Sequence, residues 1–223
     1  MSIVLHIDTA VQASSICITS GNEVLATKIN LAPRDAASWL HVAINDTLKE
    51  KGLHVGDINA VAISAGPGSY TGLRVGMSAA KGLCYALDIP LITINTLEMM
   101  ARSAGVQKDA WLCPMIDARR MEVFTALYDE SFQCLMPSTS KILDEDSFSE
   151  QLNQHRIMFF GNGNEKFRNI CKHPNAVFCN HQASAFDMIT LAAEKLKNRK
   201  YADLAYTEPF YGKDFHSIVK ESL

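Results

Sequence analysis

The sequence predicts an α/β protein of two duplicated lobes, each ordered βββαβα. Three observations predict it. Strand-like and helix-like apolar patterns follow one another in the same order in both halves of the 223 residues. Three consecutive strands open each half before the first helix, which builds mixed sheets rather than one all-parallel nucleotide-binding sheet. A polar stretch, Gly105-Val-Gln-Lys-Asp109, separates the halves and places the domains at 1–105 and 106–223. The halves share element order without a visible residue-level repeat.

In the first half, strands are expected over 3–8, 15–19 and 23–29, with Gly21-Asn22 as a tight hairpin turn and Pro33 ending the sheet. A helix follows over 35–51, stopped by Gly52. Its stripe of Ala36, Leu40, Ala43, Ile44, Thr47 and Leu48 keeps helical spacing. Strand 60–64, helix 73–87, strand 91–94 and helix 97–103 complete it. In the second half, strands 111–116, 122–128 and 132–136 precede a helix near 146–152. Strand 157–160, helix 164–171, strand 176–179 and a long helix over 185–198 follow, the last capped by Ser184.

Composition sets broad bounds. With 48% hydrophobic and 20% charged residues, the chain has the makings of a real core. A net charge of -3 supplies no overall basic field for nucleic acid, so phosphate contacts need a local patch or another protein. The start, MSIVLHIDTA, lacks a basic n-region, and no apolar run reaches membrane-spanning length. Six cysteines without Cys-x-x-Cys predict reduced thiols in a cytosolic setting. Seven scattered histidines give little support for a zinc site.

The densest feature is Ala65–Gly76, AGPGSYTGLRVG, where a small-residue strand enters a glycine-rich loop and then a nearly uncharged helix. The nucleotide templates fail. No Lys follows Gly72, and Thr71 stands where a dinucleotide fingerprint needs glycine. Two readings stay open: an anion at the helix start, or a turn that packs the helix closely on its sheet.

Ile7-Asp8-Thr9, then Gly66-Pro-Gly-Ser-Tyr-Thr-Gly-Leu-Arg74, then Asp117-Ala-Arg-Arg120 with Glu122-Val-Phe124, together resemble the TsaB (YeaZ) family. The match runs in order over most of the chain and is most specific before residue 130. The resemblance implies the RNase H-like lobes of actin, the sugar kinases and the chaperone ATPases. It also implies a role in making threonylcarbamoyladenosine next to the anticodon of tRNA. In that pathway TsaC makes threonylcarbamoyl-AMP and TsaD transfers the group. TsaB, with the ATPase TsaE, supports TsaD as a subunit without catalysis of its own. The implied setting is cytoplasmic, with a homodimer when alone and tRNA reached indirectly.

ATPases of this fold hold phosphate on the first hairpin of each lobe and contact adenosine between a later strand and helix. Carried over, this implies a degenerate nucleotide cleft at Asp8, Thr9, Asp117, Gly161 and Gly163. Weak ATP or ADP binding would occur there or at the TsaD interface, with no metal and no required cofactor. Both hairpins, 8–14 and 117–122, lack glycine, which disfavours close approach to a phosphate. The competing reading is that Asp8 and Asp117 cap turns at strand ends. TsaD carries a His-x-x-x-His pair on its first helix. Here that helix has His41 alone, flanked four residues away by Ala37 and Asn45. A small-molecule kinase or ATPase is the first alternative function. A peptidase is the second, although no Ser-His-Asp or Cys-His set supports it.

The helix over 73–87 is apolar nearly all round, with Arg74 and Lys81 as its charges. Gly72, Gly76 and Ala80 form a small-residue ridge for close helix contact. With Met77 and Leu83, and with Trp39 and Val42 on the preceding helix, they make the expected partner interface. Gly76→Leu or Ala80→Glu is then expected to break pairing and leave the monomer folded. Lys195, Lys197, Arg199 and Lys200 either complement a helix dipole or steer tRNA. The tail from Glu208 to Lys213 partly resembles the family's Pro-x-Tyr ending, with Lys213 near where an arginine is usual.

Overall fold

Each half of the chain builds one five-stranded sheet, and the two sheets have the same strand order. The computed structural model describes residues 2–11, 13–21, 23–32 and 35–212; Asn22, Pro33 and Lys213 lie outside them. The first sheet runs β3 (Glu23–Asn30), β2 (Ser14–Ser20), β1 (Ile3–Asp8), β4 (Ile58–Ser64), β5 (Leu91–Ile94). The second runs β8 (Cys134–Ile142), β7 (Glu122–Tyr128), β6 (Trp111–Asp117), β9 (Ile157–Phe160), β10 (Ala176–Phe178). In both, the first three strands pair antiparallel and the last two join parallel.

Strand alternation decides what each face of the first sheet meets. Leu5 and Ile7 of β1 face a core shared with α1 (Ala36–Glu50) and α2 (Tyr70–Leu87). Val4 of the same strand faces the opposite layer. The predicted stripe of α1 is the buried one at Leu40, Ala43, Ile44, Thr47 and Leu48. Four phenylalanines, Phe148, Phe159, Phe167 and Phe178, centre the second lobe, with ring centroids 4.9–5.9 Å apart.

The helix expected near 146–152 is reduced to Ser149–Leu152 and β4 begins at Ile58, and three further elements differ from expectation for local reasons. Helix α2 starts at Tyr70 rather than Leu73, because the Ser69 hydroxyl accepts the Gly72 N–H at 3.2 Å. Strand β8 is shifted and longer. Phe132 sits at φ 65 in a turn that Asp129 organises by accepting the Ser131 and Gln133 N–H groups. Pro137 is tolerated inside β8 because this strand is an edge. The last long helix is divided into a 3-10 turn over Ala185–Met188 and an α-helix over Ile189–Lys197, with Asp187 Oδ2 accepting the Ser184 N–H at 2.7 Å.

The boundary near 105 separates the sheets, but the packing crosses it. Helix α3 (Thr96–Ser103), from the first half, sets Leu97, Met100 and Ala101 against Leu112, Ile116 and Phe160 of the second sheet. In return, Ala185, Met188, Leu191 and Ala192 cover Val4, Ala60, Ala62 and Ile92 of the first. Residues 201–212 then return across the first lobe, with the Ala202 N–H on the Leu91 carbonyl (2.8 Å) and the Phe210 N–H on the Ala65 carbonyl (2.7 Å). The sequence places 185–212 with the second lobe; apolar complementarity places them on the first.

Candidate functional site: the interlobe cleft and the outer helix face

A cleft of about 430 Å³ opens between the lobes. Its walls come from the first hairpin (Thr9, Ala10, Ser14), the start of α2 (Ser69, Thr71, Gly72), the second hairpin (Asp117, Arg119) and Asn162. Thr9 and Asp117 thus line the same cleft. Asp8 is fully buried behind the cleft. Gly161 lines a smaller adjoining hollow with Met100 and Ala183.

The glycines of the 65–76 loop are occupied by the protein itself. A Cβ at Gly68 would overlap the Ala10 carbonyl, and one at Gly72 the Thr9 carbonyl. One at Gly76 would overlap Thr9 Oγ1 and stand 2.9 Å from Ile63 Cδ1. Hydrogen bonds close the contact: Ser69 N–H to the Ala10 carbonyl (2.7 Å) and Thr9 Oγ1–H to the Gly72 carbonyl (2.7 Å). At Gly66, with φ 111, a Cβ would overlap the Phe210 carbonyl of the returning tail. The second lobe repeats the device. A Cβ at Gly161 would overlap the Met115 carbonyl, one at Gly163 would stand 3.0 Å from Asp117 N, and Asn162 Oδ1 accepts the Asp117 N–H at 2.9 Å. Of the two readings left open for this loop, close packing of hairpin on helix is the one the geometry supports.

The two aspartates play matching parts. Asp8 Oδ1 accepts the Ala10 N–H at 3.0 Å, and Asp117 Oδ1 accepts the Arg119 N–H at 2.6 Å, so each carboxylate closes the turn that follows its strand. Asp8 also receives the Ser64 hydroxyl at 2.6 Å. Asp117 is paired with Lys166 at 2.6 Å. A metal–nucleotide group in the manner of the fold's ATPases does not fit these residues. One carboxylate has no face in the cleft, the other is engaged by a lysine, and the space beside the glycines is filled by the chain's own atoms. Among the described residues no three His, Cys, Asp or Glu side chains form a metal-binding group.

Burial pushes the Asp8 carboxyl up to about 6, aided by the charge of Asp187 and opposed by its hydrogen bonds from Ser64 and Ala10. On the same strand, burial pushes the His6 imidazole down to about 4. The two act on stability with opposite signs. The Asp8 contribution is complete below the unfolded carboxylate value, near 3.8, and is lost as pH rises through about 6. The His6 contribution is complete above 6.5 and is lost as pH falls through about 4. Each spans about 3 kcal/mol, at about 1.4 kcal/mol per pH unit. Thermal melts between pH 4 and 6.5 should therefore show Asp8→Asn gaining stability as pH rises and His6→Gln losing it. Parallel profiles for the two variants would refute the assignment.

The expected partner ridge on α2 needs correction. Gly72, Gly76, Met77 and Ala80 are buried within the chain's own lobe, because the first hairpin and β4 occupy that side. Nor is the helix buried all round. Its outer stripe runs Thr71, Arg74, Ser78, Gly82 and Tyr85, all exposed, with Tyr85 at 83%. A Cβ at Gly82 would meet nothing within 4 Å. Val42 is 58% exposed, while Trp39 and Leu83 are half-buried against the core. Leu83 also borders a hollow of about 390 Å³ with His41, Asn45 and Val55. On the outer side the small residues are Ser78 and Gly82, at the same four-residue spacing as the inner Gly72, Gly76 and Ala80.

Lys81 donates to the Ala205 (3.2 Å) and Thr207 (3.1 Å) carbonyls, and Arg74 Nε to the Tyr211 hydroxyl (3.0 Å), so both α2 cations hold the returning tail. No local pattern signals these pairings. Among the described residues no helix is long and apolar enough to cross a membrane.

Comparison with known proteins follows this geometry. Residues 23–208 match the family described as TsaD, tRNA N6-adenosine threonylcarbamoyltransferase. The chain is 30% identical over 216 residues to the tRNA threonylcarbamoyladenosine biosynthesis protein TsaB of Escherichia coli, covering 93% of each. Its fold superposes on YeaZ from Pseudomonas aeruginosa with a TM-score of 0.79 at 23% identity, over 95% of this chain and 100% of that one. The activator of 2-hydroxyisocaproyl-CoA dehydratase from Clostridium difficile, solved with bound ADPNP, superposes with a TM-score of 0.51 at 10% identity, over 89% of this chain and 97% of that one. Sequence over nearly the whole length and duplicated RNase H-like lobes agree: the chain belongs to the TsaB (YeaZ) family of tRNA threonylcarbamoyladenosine biosynthesis proteins.

Proposed function

We propose that this protein is a non-catalytic subunit that supports TsaD in transferring the threonylcarbamoyl group to adenosine next to the anticodon of tRNA, with TsaE in the same assembly. The observation that carries this is the outer face of α1 and α2. An 18-residue helix presents two small residues, Ser78 and Gly82, between an arginine and a tyrosine, and α1 adds the exposed Val42. Such a face suits close helix-to-helix docking of a related two-lobed partner, or of a second copy when the chain is alone. The buried Asp8 and the lysine-paired Asp117 support a role without catalysis of its own, and the net charge of -3 supports tRNA contact through the partner. Co-purification with TsaD of the same organism, and loss of threonylcarbamoyladenosine from tRNA on depletion, are the expected results. Unchanged nucleoside levels in cells lacking the protein would sink the proposal.

A further inference from the structure

Arg74 is the one feature of the outer α2 face whose chemistry names a counterpart. Its guanidinium carbon stands 4.1 Å from the Tyr70 ring centroid and 5.7 Å from that of Tyr211. Those rings lie 5.0 Å apart, and the Tyr211 hydroxyl accepts from Arg74 Nε at 3.0 Å. Tyr211 is in turn fixed by the tail, through the Phe210–Ala65 backbone bond and the two carbonyls that Lys81 holds. The side chain is exposed, and among the described residues no carboxylate lies within ion-pair distance of it. An arginine stacked on one tyrosine ring and hydrogen-bonded to the hydroxyl of another has less rotamer freedom to lose on binding, and its planar fork matches a carboxylate. Arginine and tyrosine are both enriched among the few residues that carry most of the binding energy of protein interfaces.

We propose that Arg74, held by Tyr70 and Tyr211, anchors an acidic side chain of the protein that docks on α2; this rests on the reading of α2 as the partner face. A carboxylate is favoured over a nucleic-acid phosphate because a polyanion needs a basic field. This chain carries a net charge of -3, and two of its acids, Asp203 and Glu208, lie in the adjoining tail. Tyr211 is a positioning residue: its hydroxyl accepts from Arg74 Nε and orients the guanidinium.

Affinity for TsaD of the same organism, measured over a range of salt concentrations, tests the anchor. Arg74→Gln should weaken binding about tenfold and flatten its salt dependence, with an unchanged melting temperature. Tyr211→Phe, which keeps the ring and removes the acceptor, should weaken binding about threefold in the same salt-dependent manner. Both variants binding with wild-type affinity and salt slope would overturn the anchor and leave the proposed function standing. No association of the wild-type chain would overturn both. Loss of binding to an anticodon stem–loop RNA in Arg74→Gln, with TsaD affinity intact, would make the site a phosphate contact and overturn the carboxylate assignment.

Discussion

Gly76→Leu and Ala80→Glu should unfold this protein, not detach it from a partner. Both positions face inward on α2. Any side chain at 76 starts with a Cβ inside the space of Thr9 Oγ1, and Thr9 cannot swing away without giving up its 2.7 Å hydrogen bond to the Gly72 carbonyl. Ile63, the next neighbour at 2.9 Å, belongs to the interior strand β4 and is fully buried. Overpacking at a well-filled site costs about 1–3 kcal/mol, and a four-carbon side chain against a fixed hairpin belongs at the upper end or beyond. Ala80 is fully buried, so a glutamate there is an uncompensated charge or a protonated acid without partners, again a cost of several kcal/mol, on the order of what leaves many domains unfolded. Circular dichroism and thermal melts should show loss of the native transition, or a melting temperature lower by about 10 °C or more. A wild-type melt combined with lost pairing would show that the ridge faces outward after all.

How far the sequence carried this structure depends on the range of the interactions involved. Strand β1, strands β7 and β9 and the buried stripe of α1 follow from apolar spacing alone, which is local information. The glycine loop was visible as a loop that needs positions without Cβ atoms, but not what fills them, because a phosphate and a neighbouring carbonyl make the same demand of the backbone. The carbonyls of Thr9 and Ala10, about 60 residues upstream, answer that question only once the hairpin is folded onto α2. Asp8 and Asp117 were legible as strand-end acids. Their turn-closing bonds look the same in sequence as the start of a metal site. The orientation of α2 was ambiguous for a sharper reason: small residues at 72, 76 and 80 and at 78 and 82 offer two ridges of equal spacing, and tertiary packing chooses between them. The Arg74–Tyr211 contact joins residues 137 apart, and the exchange of helices between lobes is equally non-local. Neither leaves a periodic trace.

Gly82→Arg should stabilise the free protein and abolish its pairing. Gly82 lies inside α2 with ordinary helical backbone, and a Cβ there meets nothing within 4 Å. Glycine in a helix interior costs about 1 kcal/mol relative to a good helix former, so replacing it by arginine should raise the melting temperature by about 2–4 °C. A sequence that keeps glycine where the fold gains nothing from it has broken a local rule, and such breaks mark functional positions. What the position lacks is a side chain between Ser78 and Tyr85, on the stripe where a docking helix would approach most closely. A long charged side chain there holds the partner backbone off the surface and sets a cation in the centre of a desolvated contact, where truncations and insertions alike cost several kcal/mol, or about a hundredfold or more in affinity. The two readouts move in opposite directions, which separates an interface effect from a folding defect in one variant. Melting followed by calorimetry, and association with TsaD followed by analytical ultracentrifugation, decide the matter. A stabilised chain that still pairs with wild-type affinity would move the interface off this face of α2.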